Sequence, residues 1–197
     1  MPLVHKGMRV GLFGGSFNPP HEGHLLVAET AIRRLQLDQV WWMVTPGNPL
    51  KSHKELADLE TRVNLSRKIC EDPKIKITAF EAAYDLQYTA ETLQFVKSRN
   101  TGVNFVWLMG ADNLANFHHW QNWQFIAGQF PIAVIDRPGS TLSYLSSRMA
   151  KTFAKARLDE TDAKRLPFLK APAWTFLHGP RSTLSSTAIR NATKQSK

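Results

Sequence analysis

Short, largely apolar runs recur along the chain, and they stop at Gly or Pro. Met8–Phe13 (MRVGLF) stops at Gly14-Gly15, and Val40–Thr45 (VWWMVT) stops at Pro46-Gly47. Ile132–Ile135 is closed by Arg137-Pro138-Gly139, and Asn104–Met109 is a further run of this kind. Runs of this length without polar alternation are read as strands buried on both faces. Between them, apolar residues recur at helical spacing. Leu25, Ala28, Ile32 and Leu35 mark His24–Leu37, and Leu59, Val63 and Ile69 mark Leu59–Cys70. Thr89–Ser98 reads as another helix with Thr89 as its N-cap. Lys74–Thr78 and Trp174–Leu177 read as strands, Asn113–Gly128 as a broken, aromatic-rich helix, and Ser186–Ala192 as the start of a final helix. Strands alternating with helices predict an α/β fold, a Rossmann-like, doubly wound parallel sheet with helices on both faces and right-handed crossovers.

A chain of 197 residues suffices for one domain. The expected organisation is a Rossmann-like core over about 8–139 and a small, partly helical C-terminal part over 140–197. In that part Ser140–Leu158 sets Leu142, Leu145, Met149 and Phe153 against Arg148, Lys151 and Lys155. This pattern is read as a solvated helix on the core in preference to a membrane-surface helix. The apolar runs are too short to span a bilayer, and the start carries no signal-peptide pattern. The single Cys70 cannot form an intramolecular disulfide and is read as a buried helical Cys. These features predict a cytoplasmic protein with no membrane partner. The formal net charge of +9 suits polyanions: nucleic acid, an acidic surface or phosphate-rich small molecules.

The segment Gly14–His24 (GGSFNPPHEGH) decides among these. It joins the first strand to the first helix, where ligands bind in doubly wound sheets. Glycines there admit a phosphate close to the backbone, and the helix N-terminus aims N–H groups and partial positive charge at it. His21 and His24, three apart, can face one ligand and donate to phosphoryl oxygens as charge builds. A glycine turn alone is weak evidence, a lone His is more often structural, and a His-x-x-His pair also occurs in metal sites. No Cys or third His stands at a matching spacing, so no protein metal site is expected.

His21-Glu22-Gly23-His24 resembles the HxGH signature of nucleotidyltransferases, and GGSFNPPHEGHL resembles the bacterial nicotinate-nucleotide adenylyltransferases. Further matches follow in family order: YTAETL at Tyr88–Leu93, Gly110-Ala111-Asp112-Asn113 with Trp120, Asp136–Gly139, and LSSTAIR at Leu184–Arg190. The resemblance implies transfer of AMP from ATP to the phosphate of nicotinate mononucleotide, giving deamido-NAD and pyrophosphate with Mg²⁺ as cofactor. It implies catalytic roles for His21 and His24. ATP would meet these two with Gly14, Gly15, Ser16, Phe17, Ser186, Thr187 and Arg190, the last helix being capped by Ser186 and Thr187. The mononucleotide would meet Asn48, Thr89, Asp112, Trp120 and Arg137. Read singly, Trp120 is more often core, Arg137 a surface charge and Asp112 a helix cap. Lys51, His53 and Lys54 depart from the family's Pro-Pro-His-Lys/Arg stretch, and Ser140–Pro172 matches no motif.

The nearest alternative is another HxGH enzyme, such as a pantetheine-phosphate adenylyltransferase, which YTAETL and the Trp120 region disfavour. A basic nucleic-acid-binding module is a different class. No such motif is present and the basic residues are scattered, so no nucleic-acid partner is expected. Monomer and homodimer both stay open.

Overall fold

A computed structural model describes residues 1–47, 56–137, 143–180, 182 and 184–195. The strands are β1 (Arg9–Gly15), β2 (Gln39–Val44), β3 (Ile75–Thr78), β4 (Asn104–Gly110), β5 (Ile132–Ile135) and β6 (Trp174–Leu177). The α-helices are α1 (Glu22–Leu35), α2 (Leu59–Ile69), α3 (Phe80–Ala83), α4 (Thr89–Arg99), α5 (Ala111–Leu114), α6 (Trp123–Gln129), α7 (Arg148–Thr152) and α8 (Ser186–Gln195). Among the described residues the strands form one parallel sheet in the order β3-β2-β1-β4-β5-β6. The order reverses between β1 and β4, which leaves a crevice outside their carboxyl ends, the position where such sheets bind ligands.

The apolar runs fold as strands because helices cover both faces. All six residues of β2 are buried. Successive side chains point to opposite faces, so Trp41 joins the layer with Val10, Leu93, Trp107 and Phe130, while Trp42 joins Phe13, Val27, Leu35 and Leu108. Truncating either tryptophan to Ala would cost about 3–5 kcal/mol. The outer end of the sheet is tied to α1 by a small ionic cluster. Arg34 meets Glu160 at 2.8 Å, and Glu160 also accepts from the His178 N–H at 2.8 Å.

Several expectations need correction. Gly14 and Gly15 belong to β1, still paired with Met43 and Val44, because the parallel ladder runs on until the Ser16–Phe17 turn. The sheet extends past residue 139, since β6 pairs with β5 along its length. Residues 143–158 are not one amphipathic helix: α7 lies between 3₁₀ turns at Ser143–Ser146 and Ala154–Ala156. Phe153 ends α7, and its carbonyl accepts from the Trp174 indole at 2.8 Å, so packing against β6 outweighs helical periodicity. Among the described residues no helix is long and apolar enough to cross a membrane.

Candidate active site

His21 is the N-cap of α1, in extended conformation. Its Nδ1 accepts the Gly23 N–H at 3.1 Å, and His24 Nδ1 accepts the His21 N–H at 3.3 Å. This is a capping box made of two histidines. Using both Nδ1 atoms as acceptors leaves the proton of each neutral ring on Nε2, so each imidazole keeps one donor. The rings lie close, with centroids 3.8 Å apart and planes tilted by 36°. Burial, with the Arg137 charge adding to it, lowers the His21 pKa to about 4. Burial, His21 and Arg137 lower that of His24 to about 2.

Two glycines are required by close approach. A Cβ on Gly23 would stand 3.0 Å from the His21 ring, and one on Gly15 would stand 3.1 Å from the Phe17 ring. Phe17, buried and at φ 45°, packs edge-on against His24 with centroids 5.0 Å apart, and lies against Trp42 at 4.4 Å. Residues Gly15 and Phe17 thus form the wall on which His24 rests.

A cleft of about 660 Å³ opens at the carboxyl ends of β1 and β4. Gly14, Gly15, Ser16, Phe17, His21 and His24 line one side. Ser186, Thr187 and Arg190 of α8 close over them. Thr89, Asp112, Trp120 and Arg137 line the same cleft. The expected residues therefore converge on one cleft, save Asn48, which lies outside the described residues, as do Lys51, His53 and Lys54.

Local roles differ from those expected. Tyr88, not Thr89, is the N-cap of α4, and Glu91 accepts the Tyr88 N–H at 3.3 Å; Thr89 is the first helical residue. Ser185, not Ser186, caps α8, its Oγ accepting the Ala188 N–H at 3.1 Å. Ser186 Oγ donates instead to the Pro19 carbonyl at 2.9 Å, and Arg190 donates to the Asn18 carbonyl at 2.6 Å and to Thr187 Oγ1 at 3.4 Å. These bonds dock α8 on the loop that precedes α1. Arg137 is no loose surface charge. Its Nη1 donates to the Gly23 carbonyl at 3.3 Å, and its Nε lies 3.9 Å from Asp112. Trp120 is half-buried, edge-on to Trp107 and Phe117.

The family profile described as cytidylyltransferase-like matches residues 12–192. The chain belongs to the cytidylyltransferase-like family. Its family relatives include a Mesorhizobium japonicum protein named "Probable nicotinate-nucleotide adenylyltransferase", 66% identical over 98% of this chain and 100% of the relative. A Brucella suis protein of the same name is 67% identical over 93% of this chain and 94% of its own. Among solved structures, Plasmodium falciparum nicotinic acid mononucleotide adenylyltransferase complexed with NaAD shares the cytidylyltransferase-like fold. The TM-score is 0.71 at 18% identity, over 95% of this chain and 83% of that one.

Glu81, Trp107 and Arg62 are among the cleft-related residues that no sequence motif marks. Glu81 and Trp107 line the cleft. Arg62, 1% exposed, lies behind the Ser16–Phe17 turn. Arg62 reads as a solvated helix charge, and Trp107 as one more core aromatic within β4.

Proposed function

We propose that this chain transfers the adenylyl group of ATP to the phosphate of nicotinate mononucleotide, forming deamido-NAD and releasing pyrophosphate. The observation that carries the reading is the histidine capping box at the mouth of the switch-point cleft. It presents two neutral imidazoles, each with an Nε2–H donor, beside the positive end of α1.

The acceptor phosphate is already anionic, so no protein nucleophile is needed. One of its oxygens attacks the α-phosphorus in line, the bond to the β-phosphate oxygen breaks, and pyrophosphate leaves. The chain's task is to position two polyanions and to meet the charge that spreads over the phosphoryl oxygens. His21 and His24 donate to those oxygens. Gly14–Phe17 brings backbone close to the nucleotide, and α8, docked through Ser186 and Arg190, closes the triphosphate end with Thr187. Across the cleft, Trp120 stacks on the pyridine ring. Thr89 lies in the first turn of α4, whose N–H groups favour the ring carboxylate. Arg137 places positive charge near the acceptor phosphate, and Asp112 accepts from ribose hydroxyls.

Among the described residues no group of three His, Cys, Asp or Glu could hold a metal ion. Asp112 lines the cleft beside Arg137 and would be the carboxylate that helps hold a Mg²⁺ entering with the triphosphate, where the ion would neutralise phosphate charge.

The test is pyrophosphate release from ATP and Mg²⁺ with nicotinate mononucleotide, nicotinamide mononucleotide and phosphopantetheine as acceptors. Efficient release is expected with the first. Preference for phosphopantetheine would overturn the reading.

A further inference from the structure

Arg62 takes no part in the chemistry above, yet its guanidinium is buried at the centre of the cleft's supporting loops. Nε donates to the Ala57 carbonyl at 2.8 Å, Nη1 to Ser16 at 2.8 Å and Thr45 at 2.7 Å, and Nη2 to Pro46 at 3.0 Å. Among the described residues it makes no ion pair with a carboxylate. Burial lowers its pKa, with Asp58 opposing. A guanidinium buried against neutral carbonyls is costly compared with an apolar side chain of like volume, so packing alone does not account for it.

Its partners belong to three segments. Ser16 lies in the turn after β1, beside the proposed ATP contacts. Thr45 and Pro46 follow β2 and line the cleft just before Asn48 in the chain. Ala57 precedes α2, and its N–H donates to Asn18 Oδ1 at 3.2 Å. Asn18 in turn offers its carbonyl to Arg190 of α8. A planar fork of five donors can hold carbonyls from separate segments at fixed angles. A lysine ammonium, compact and flexible, cannot.

We infer that Arg62 is a positioning residue that joins the ATP-side turn at Ser16 to the cleft-lining turn at Thr45–Pro46, so that binding of one substrate prepares the site of the other. The inference rests on the proposed acceptor. Its basis is general: a ligand that fixes one of two linked segments lowers the ordering cost for a ligand on the second.

The experiment measures the Kd of nicotinate mononucleotide by calorimetry, with and without a non-hydrolysable ATP analogue, after turnover with this acceptor has been measured. Absence of turnover by the wild type overturns the acceptor assignment and this inference with it. With turnover present, the wild type should bind the mononucleotide about ten-fold tighter in the presence of the analogue, within the usual range of coupling between sites. In Arg62→Lys that ratio should fall to about one, with KM for both substrates raised, while the circular dichroism spectrum is kept. Arg62→Gln, uncharged and cheaper to bury, is the second variant should Arg62→Lys fail to fold. A purely structural arginine would lower Tm and leave the ratio intact. Wild-type coupling in either folded variant, or no coupling in an active wild type, overturns the inference.

Discussion

Half-buried His24 and buried Glu81 respond to pH in opposite directions. His24→Ala should lower kcat by about 10²–10³-fold, the usual loss for one transition-state donor. It also removes the acceptor of the His21 N–H, a capping loss of about 1 kcal/mol. A folded variant with near wild-type turnover would refute the role. Both histidines have folded pKa values below the ordinary range. The folded state therefore binds fewer protons than the unfolded chain, and their contribution to stability is lost as pH falls below about 6.5. Glu81 runs the other way. The residue is 6% exposed, its Oε1 accepts from the Thr92 hydroxyl at 2.6 Å, and its Oε2 has no hydrogen-bond partner among the described residues. Burial pushes its pKa up to about 7, against the opposing pull of Thr92. Between the ordinary carboxylate pKa and 7 the folded state holds a proton that the unfolded chain has released. Stability therefore falls as pH rises through that window, by about 1.4 kcal/mol for each pH unit. Glu81→Gln should thus gain stability relative to wild type at pH 8 but not at pH 4. Urea unfolding at the two pH values checks this, and an equal gap at both would contradict it.

At the scale of elements, the start of α1 couples folding to chemistry at one atom. Gly23→Ala improves intrinsic helix propensity by roughly 0.5–1 kcal/mol. Yet its new Cβ would stand 3.0 Å from the His21 imidazole and move it. The expected outcome is a Tm unchanged or raised with kcat reduced by up to about ten-fold, since the ring must give by a few tenths of an ångström and a full ångström costs about a hundred-fold. Thermal melts and initial rates on one preparation decide it. Docking of α8 gives a second prediction. Ser186→Ala and Arg190→Ala remove bonds to the Pro19 and Asn18 carbonyls, so KM for ATP should rise more than KM for the acceptor. A rise confined to the acceptor would misassign α8. The contrast between strands and caps shows what the residues reveal unaided. Strands were legible because a two-sided buried run leaves no other reading, and the HEGH turn because its glycines and histidines have few uses together. The cap of α8 was not legible. Ser185, Ser186 and Thr187 are chemically equivalent candidates, and only the approach of Pro19, distant in sequence, draws the Ser186 hydroxyl onto the loop before α1. The buried Arg62 was equally hidden, because its carbonyl partners carry no side-chain signature.

For the whole molecule, the strand order places the His21–His24 pair and the Thr89–Trp120 region at one crevice, although they lie on different sides of the sheet's central strands. Selectivity for the acceptor should follow from that placement. A site built from N–H donors favours a ring carboxylate over an amide, whose NH₂ would leave donors unpaired at roughly 1–3 kcal/mol each. The expected ratio of kcat/KM for nicotinate over nicotinamide mononucleotide is about ten- to a hundred-fold. Thr89→Ala should reduce it, and equal efficiency in the wild type would refute it. The tie between Asn18 and Arg190 spans most of the chain. During synthesis on a ribosome, the loop before α1 is made early, and its partner on α8 emerges only after all six strands. A nascent chain can thus assemble its sheet while it still lacks the α8 wall of the cleft, and turnover is expected only once the distal helix has left the exit tunnel.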